Sequence, residues 1–550
     1  MQTQTRSLTT LVTVFFFWGF LAASNGIFIP FCKTHFHLNQ FRSQLVDTSF
    51  YGAYFIGSLF LYLVSMGTGR DLLNSIGYKK GIVFGLLISI IGSLLMLLAV
   101  KAESFPFILL SFFVIALGFS LQQTAANPMA IYLGNPATGS HRLNLAGGVN
   151  SLGTTLGPLI VNMALFGKVA AGESEKANAS IASISNLYII LCVAFSIAAL
   201  LFSMSKMPVL NSDAEIDSEK KDKTNNFVLK TPLIILMSIL AFIILLLSRS
   251  AFAGGNQSLK KFLFLFISAL GLSGILGFLV LRFIKLKRQN RFEPKAYPQV
   301  QWGMFAIFVY VGMEVTIQSN MGALLKTPDF GSLSESHISR FLSLYWGSLM
   351  IGRLMAALSV FNLKKSWRRL FTILVPVSVF ALILGINRLS GNPTEDMIIY
   401  LIPIAILVIG FFLCREKPVL TLIVFSVLGI SAMLTGLLTQ GLFATYSFIS
   451  AGLFCSIMWP CIFTLSIAGV KQYSSQASGF LIMMILGGAF IPPLQGIVCD
   501  FDKTEGSHFL GMSFTHFSFT IPLICFLCLT LYAFRSKALL KRQGIDFDAG

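Results

Sequence analysis

Charge is scarce in this sequence. Asp, Glu, Lys and Arg make up 11% of the 550 residues, where a water-soluble protein carries about 25%. So little charge excludes a fully solvated surface. Histidine is rarer still, with six copies, and the eight cysteines (Cys32, Cys192, Cys414, Cys455, Cys461, Cys499, Cys525, Cys528) show no ligand spacing. A zinc site and a secreted disulfide framework are both excluded on that pattern, and the cysteines read as small buried residues. Alternating segments of about 10 residues, the mark of a membrane β-barrel, are missing. So are a nucleophile–base pair, metal-ligand spacing and a glycine-rich phosphate loop, which argues against an enzyme and against any bound cofactor or metal.

What the chain does have is apolar length. Hydrophobic residues make up 55% of it, 53 of them Phe. Runs near the roughly 20 residues that cross a bilayer as helix recur from end to end. They read as about sixteen spans: 8–32, 45–68, 81–100, 105–133, 143–167, 184–205, 232–248, 262–284, 299–325, 339–361, 370–387, 397–414, 418–437, 441–469, 477–499 and 514–534. The fold class is an all-α polytopic membrane protein. Residues 11–23 could pass for a signal-peptide core with Ala22-Ala23-Ser24 behind it, but the apolar stretch continues past Asn25 to Phe31, so it is read as the first span.

The net charge of +18 comes from 40 basic residues against 22 acidic ones. The basic residues sit in short loops between spans, so the excess reflects the positive-inside rule and not a nucleic-acid partner. With the N-terminus inside, inner loops collect Arg70, Lys79, Lys80 and Arg142, then Lys364, Lys365, Arg368 and Arg369, then Arg535, Lys537, Lys541 and Arg542. An even number of spans puts both termini in the cytoplasm, in a bacterial inner membrane. The polar stretch 206–230 reads as a cytoplasmic linker. Around it the chain divides into an N-terminal six-helix bundle (1–206), a linker with two extra helices (207–298) and a C-terminal six-helix bundle (299–550) with an inserted pair at 397–437. In each half the second helix ends in Gly-Arg and a basic turn, "GTGRDLLNSIGYKK" and "IGRLMAALSVFNLKK". Parallel halves of this kind are a transporter pattern.

Polar residues inside such spans are costly and mark function by default. Glu314 stands in the middle of 299–325, and Asp47 begins the second span; these two are the candidates to couple a cation, H+ or Na+, with Na+ held at Glu314 or Asp47. Gln318 lies one turn beyond Glu314 on the same face, followed by Asn320. Gln122, Gln123 and Asn127 lie in "SLQQTAANPMAIYLG", where Gln123 and Asn127 share a face. Asn150, Trp18, Asn25 and Trp346 complete a set of amides and indoles, the surface a sugar needs for its hydroxyls and its C–H faces. Each amide taken singly also reads as interhelical glue. Arg70, Asp71, Arg142 and Arg353 read as an inner-face charge cluster that favours one conformer.

The stretches "LQQTAANP", "GSHRLNLAGGVNSLGTT", "YVGMEV", "YWGSLMIGR" and "GGAFIPPLQGIVCD" together resemble the fucose–galactose–glucose–proton symporter family of major facilitators. The resemblance covers about residues 10–205 and 299–534. It implies a monosaccharide of the glucose, galactose, fucose or N-acetylglucosamine class, carried with a cation by alternating access, in a monomer. It also exposes a departure. Where proton symporters of the family place an Asp in the first span and a Glu in the fourth, this chain has Gly26 and Gln123. An amide carries no proton, so the coupling role shifts to Glu314 and then Asp47. An uncoupled sugar facilitator and a sugar-binding membrane sensor are the alternatives.

Overall fold

The computed structural model describes residues 5–545 except 39, 69–71, 135–138, 167–182, 209–296, 334, 362, 390, 415–416, 471–472 and 505–510. The polar linker and the expected pair at 232–248 and 262–284 lie outside the described residues. The first half consists of α1 (Thr5–His35), α2 (Gln40–Thr68), α3 (Tyr78–Lys101), α4 (Phe105–Tyr132), α5 (Gly139–Phe166) and α6 (Ser183–Met204). The second half opens with α7 (Pro298–Leu325), α8 (Glu335–Ala357), α9 (Lys365–Leu389), α10 (Leu401–Cys414) and α11 (Pro418–Leu438). It closes with α12 (Gly441–Cys455), α13 (Met458–Ser466), α14 (Ser474–Met483), α15 (Gly487–Thr504) and α16 (Thr520–Arg542). Thirteen described stretches are long and apolar enough to cross a membrane. Helix α5 is as long as α4 and α7 but is rich in Ser, Thr, Asn and Gly, and is not among the thirteen.

Local chemistry accounts for the helix ends and breaks. Proline stands in the first turn of α4, α7 and α11, where its missing N–H costs nothing. Within lipid every backbone group needs an internal partner. A proline inside a helix removes the donor for the carbonyl four residues earlier. Pro128 does this to Thr124 within α4, and Pro460 does it to Ser456 at the break between α12 and α13. Both freed carbonyls have been taken up by side chains from elsewhere, as described below.

In the first half α3 packs on α4 and α6, α2 on α4, and α1 on α5. In the second half α11 packs on α12 and α16, and α8 on α12. Helix α11 therefore has the neighbours that α3 has, and fills the third position of its half. On this packing we assign the extra pair to α9 and α10, residues 365–414, in place of 397–437. The pair lies outside α8, and its outer loop is held there by Arg340, which donates to Asp396 at 3.0 Å and to the Pro393 carbonyl at 3.1 Å.

The halves meet through α5 against α8, and through α2 and α4 against α14. Their side-chain contacts through α14 lie toward the end of the bundle where Lys79, Arg142, Lys364 and Lys365 stand, called the basic end here. Tyr132 and Ser474 share a hydroxyl hydrogen bond of 2.6 Å. Ser478 donates to the Thr124 carbonyl at 3.2 Å, so the acceptor freed by Pro128 is used by the opposite half. The rings of Tyr62 and Phe480 stand 4.6 Å apart.

Candidate functional site

Among the described residues, an ion pair stands inside the bundle. Glu314 on α7 accepts from Arg353 Nη2 on α8 at 2.8 Å, and the two side chains are 13% and 9% exposed. Tyr310, one turn before Glu314, accepts from the same nitrogen at 3.3 Å. Arg353 Nε donates at 3.1 Å to the Ser456 carbonyl, the one left without a helical donor by Pro460. Arg353 Nη1 reaches out of its own half to Ser151 Oγ on α5 at 2.9 Å. Tyr345 donates its hydroxyl to the Glu314 backbone carbonyl at 2.7 Å. Gly147 leaves space for the arginine stem: a Cβ there would stand 3.1 Å from Arg353 Cδ. A buried charge pair survives only when its polar groups are satisfied in this way.

This geometry corrects the place of Arg353. The recurrence of Gly-Arg at the end of the second helix of each half places it, in the sequence, with Arg70, Asp71 and Arg142. The structure sets it against Glu314 in the interior, because the one carboxylate on α7, 13% exposed, is its counter-charge. Arg70 and Asp71 lie outside the described residues. Arg142 donates from Nε to the Ala130 carbonyl at 2.8 Å and from Nη2 to Ile131, closing the last turn of α4.

The amide set separates into two groups. Trp18 Nε1 donates to Gln122 Oε1 at 3.0 Å, and Gln122 Nε2 donates to Ser89 at 3.2 Å. These residues tie α1, α4 and α3 together inside the first half, with Gln122 fully buried. Asn320 donates to Gln495 at 3.2 Å, Thr316 donates to the same oxygen at 2.7 Å, and Gln495 donates to Ser518 at 3.0 Å, which ties α7 to α15. In this conformation Trp18, Gln122 and Asn320 serve as interhelical glue. The cause is the helix face: Gln122 is adjacent to Gln123 in sequence and points about 100° away from it.

Gln123 is half-buried and donates to Tyr54 at 3.1 Å. Asn127 is buried with its Nδ2 unpartnered, and so is the side-chain oxygen of Asn150. Both lie on helices at the boundary, since Thr124 on α4 and Ser151 on α5 bond to the second half. Orphaned buried polar atoms are rare and call for an unseen partner. Gln318 is half-buried, Trp346 packs its ring 5.8 Å from Tyr345, and Asp47 is buried on α2. The side chain of Asn25 lies outside the described residues. Tyr54, Tyr310, Tyr345 and Gln495 join the site only through packing. Of these, only Tyr310 has a signal in the sequence, its spacing of four from Glu314.

Comparison with known proteins follows the same lines. Over 529 residues the chain is 27% identical to a protein named glucose/galactose transporter from Brucella abortus, covering 96% of this chain and 93% of that one. It is 23% identical to an L-fucose-proton symporter from Haemophilus influenzae, covering 96% of each. The crystal structure of the E. coli fucose:proton symporter FucP shares the fold, with a TM-score of 0.59 at 18% identity over 96% of this chain and 98% of that one. The family model of the Major Facilitator Superfamily matches residues 10–313. That match spans more than half of the sequence, and the chain belongs to the Major Facilitator Superfamily: it is a multi-pass membrane transporter and not an enzyme.

Proposed function

We propose that this transporter takes up a monosaccharide of the glucose, galactose, fucose or N-acetylglucosamine class together with a cation, by alternating access. It would do so in a bacterial cytoplasmic membrane with both termini inside. The observation that carries this reading is the Glu314–Arg353 pair, largely buried at the boundary between the halves. The sugar-carrying names of similar proteins support the substrate class.

A proton suits Glu314 better than Na+. The Arg353 guanidinium already supplies a cation 2.8 Å from the carboxylate. The guanidinium opposes either cation, but a proton forms an O–H bond on the carboxylate and needs no cage of its own, where Na+ would need a full set of oxygen ligands beside Arg353. Na+ would fall to Asp47. Uptake of labelled sugars into proteoliposomes, with H+ and Na+ gradients imposed separately, tests both points. Accumulation under an inward proton gradient alone is the expected result. Flux that only equilibrates under either gradient would favour the facilitator reading, which Gly26 and Gln123 support.

The two amide groups should respond in opposite ways. Asn127→Ala removes a buried donor that has no partner, so the melting temperature should hold or rise, while the KM for sugar should rise at least about tenfold. Gln122→Leu strands Trp18 Nε1, so the protein should lose about 1–3 kcal/mol of stability with KM little changed. Thermal unfolding in detergent and uptake kinetics read both effects. An Asn127 variant with an unchanged KM would remove that residue from the sugar site.

A further inference from the structure

We infer that Arg353 is a positioning residue that converts the charge on Glu314 into a grip between the two halves. This deepens the coupled-transporter reading and rests on it. The guanidinium bonds three partners in its own half, Glu314, Tyr310 and the Ser456 carbonyl, and one in the other, Ser151. Among these only Glu314 is charged. The titratable groups around that carboxylate are Arg353 and Tyr345 of α8, Tyr310 of its own helix, Cys455 of α12 and Tyr51 of α2.

When Glu314 is ionised, Arg353 is a neutralised fork, and its Nη1 holds α5 against α8. A proton arriving on a Glu314 oxygen forms the O–H bond and removes the only counter-charge. Arg353 then remains as a buried cation among neutral acceptors, a state that proteins avoid. The cheapest relief is hydration, and parting of α5 and α8 widens water's access to Arg353, whose side chain is only 9% exposed while they are closed. Parting breaks the bond to Ser151 and loads the neighbouring seal, Tyr132–Ser474 and Ser478–Thr124. Proton binding therefore opens the basic end, and proton loss there closes it again. The Ser456 carbonyl keeps the guanidinium in place throughout, because Pro460 gives that oxygen no other donor.

The test is a distance measurement across the basic end. Spin labels go on Lys80→Cys and Lys541→Cys, both exposed and one in each half, with Cys192, Cys499 and Cys528 replaced by Ser. Lowering the pH should populate a longer distance. Glu314→Gln should populate the longer distance more than wild type at neutral pH, and to the same extent at every pH. Ser151→Ala should raise its population about tenfold at neutral pH, the weight of one hydrogen bond to a charged group, and keep the pH dependence. Ser151→Ala removes one hydroxyl and stands as the deciding variant if Glu314→Gln does not fold. Wild-type distances in Ser151→Ala, or wild-type pH dependence in Glu314→Gln, would overturn the inference. Sugar uptake by the same proteins is scored separately. A pH-driven distance change without uptake would sink the transport reading and leave the grip standing, and uptake without the distance change would do the reverse.

Discussion

Glu314→Gln should reduce cation-driven accumulation of sugar to simple equilibration, a ratio of inside to outside of about one, while exchange of labelled for unlabelled sugar continues. The substitution keeps the shape and one acceptor oxygen for Arg353 Nη2, now 2.8 Å away. It removes the only group of that cluster that can carry a proton at an ordinary pH, since an amide does not titrate. It also leaves Arg353 without its counter-charge, and breaking a buried pair from one side costs about 3–5 kcal/mol. Yield and melting temperature should therefore fall along with coupling. The double variant Glu314→Gln/Arg353→Gln separates the two effects: stability should return and accumulation should not. Accumulation at the wild-type level in either protein would exclude Glu314 as the proton carrier.

Gly153→Ala should be among the most damaging single methyl additions. In lipid the helices gain nothing from hydrophobic burial against one another, so close backbone approach and its van der Waals contacts hold them together. At Gly153 the approach is extreme: a Cβ would stand 2.2 Å from the Phe16 carbonyl oxygen and 2.9 Å from the Phe20 nitrogen. Both are backbone atoms of α1, so no rotamer change relieves the clash, and α1 must move off α5. Overpacking that shifts backbone costs about 1–3 kcal/mol and sometimes more. Gly52→Ala is the matched control, because a Cβ there meets nothing within 4 Å and alanine is the better helix former by about 1 kcal/mol. The first variant should melt well below wild type in a fluorescence-detected thermal assay, and the second at or slightly above it. Equal melting temperatures would mean that the α1–α5 contact is looser than described.

The membrane architecture could be read from the chain because its cause is local. A bilayer demands about 20 apolar residues per crossing, and all fourteen expected spans within the described residues have a helix there. Which pair is the extra one was not legible. Spans 370–387, 397–414 and 418–437 are all apolar, so hydropathy cannot rank them. Only the neighbours of α11 mark it as the counterpart of α3.

The site divides in the same way. That Glu314 is exceptional follows from composition, since a carboxylate amid an apolar run is costly wherever the run folds. That Arg353 is its partner does not, because the two are 39 residues apart and the guanidinium sits near enough to a helix end to pass for a loop charge. Adjacent Gln122 and Gln123 are chemically identical in sequence; the helix sends one into the interior of its half and leaves the other half-buried beside Tyr54. Pro128 reads as a kink from sequence alone, and only the packed molecule shows that its freed carbonyl, on Thr124, is held by Ser478 of the opposite half. Solvent preference is a property of each residue and its neighbours in the chain, so it is written in the sequence. Pairing is a property of distance between helices, so packing decides it.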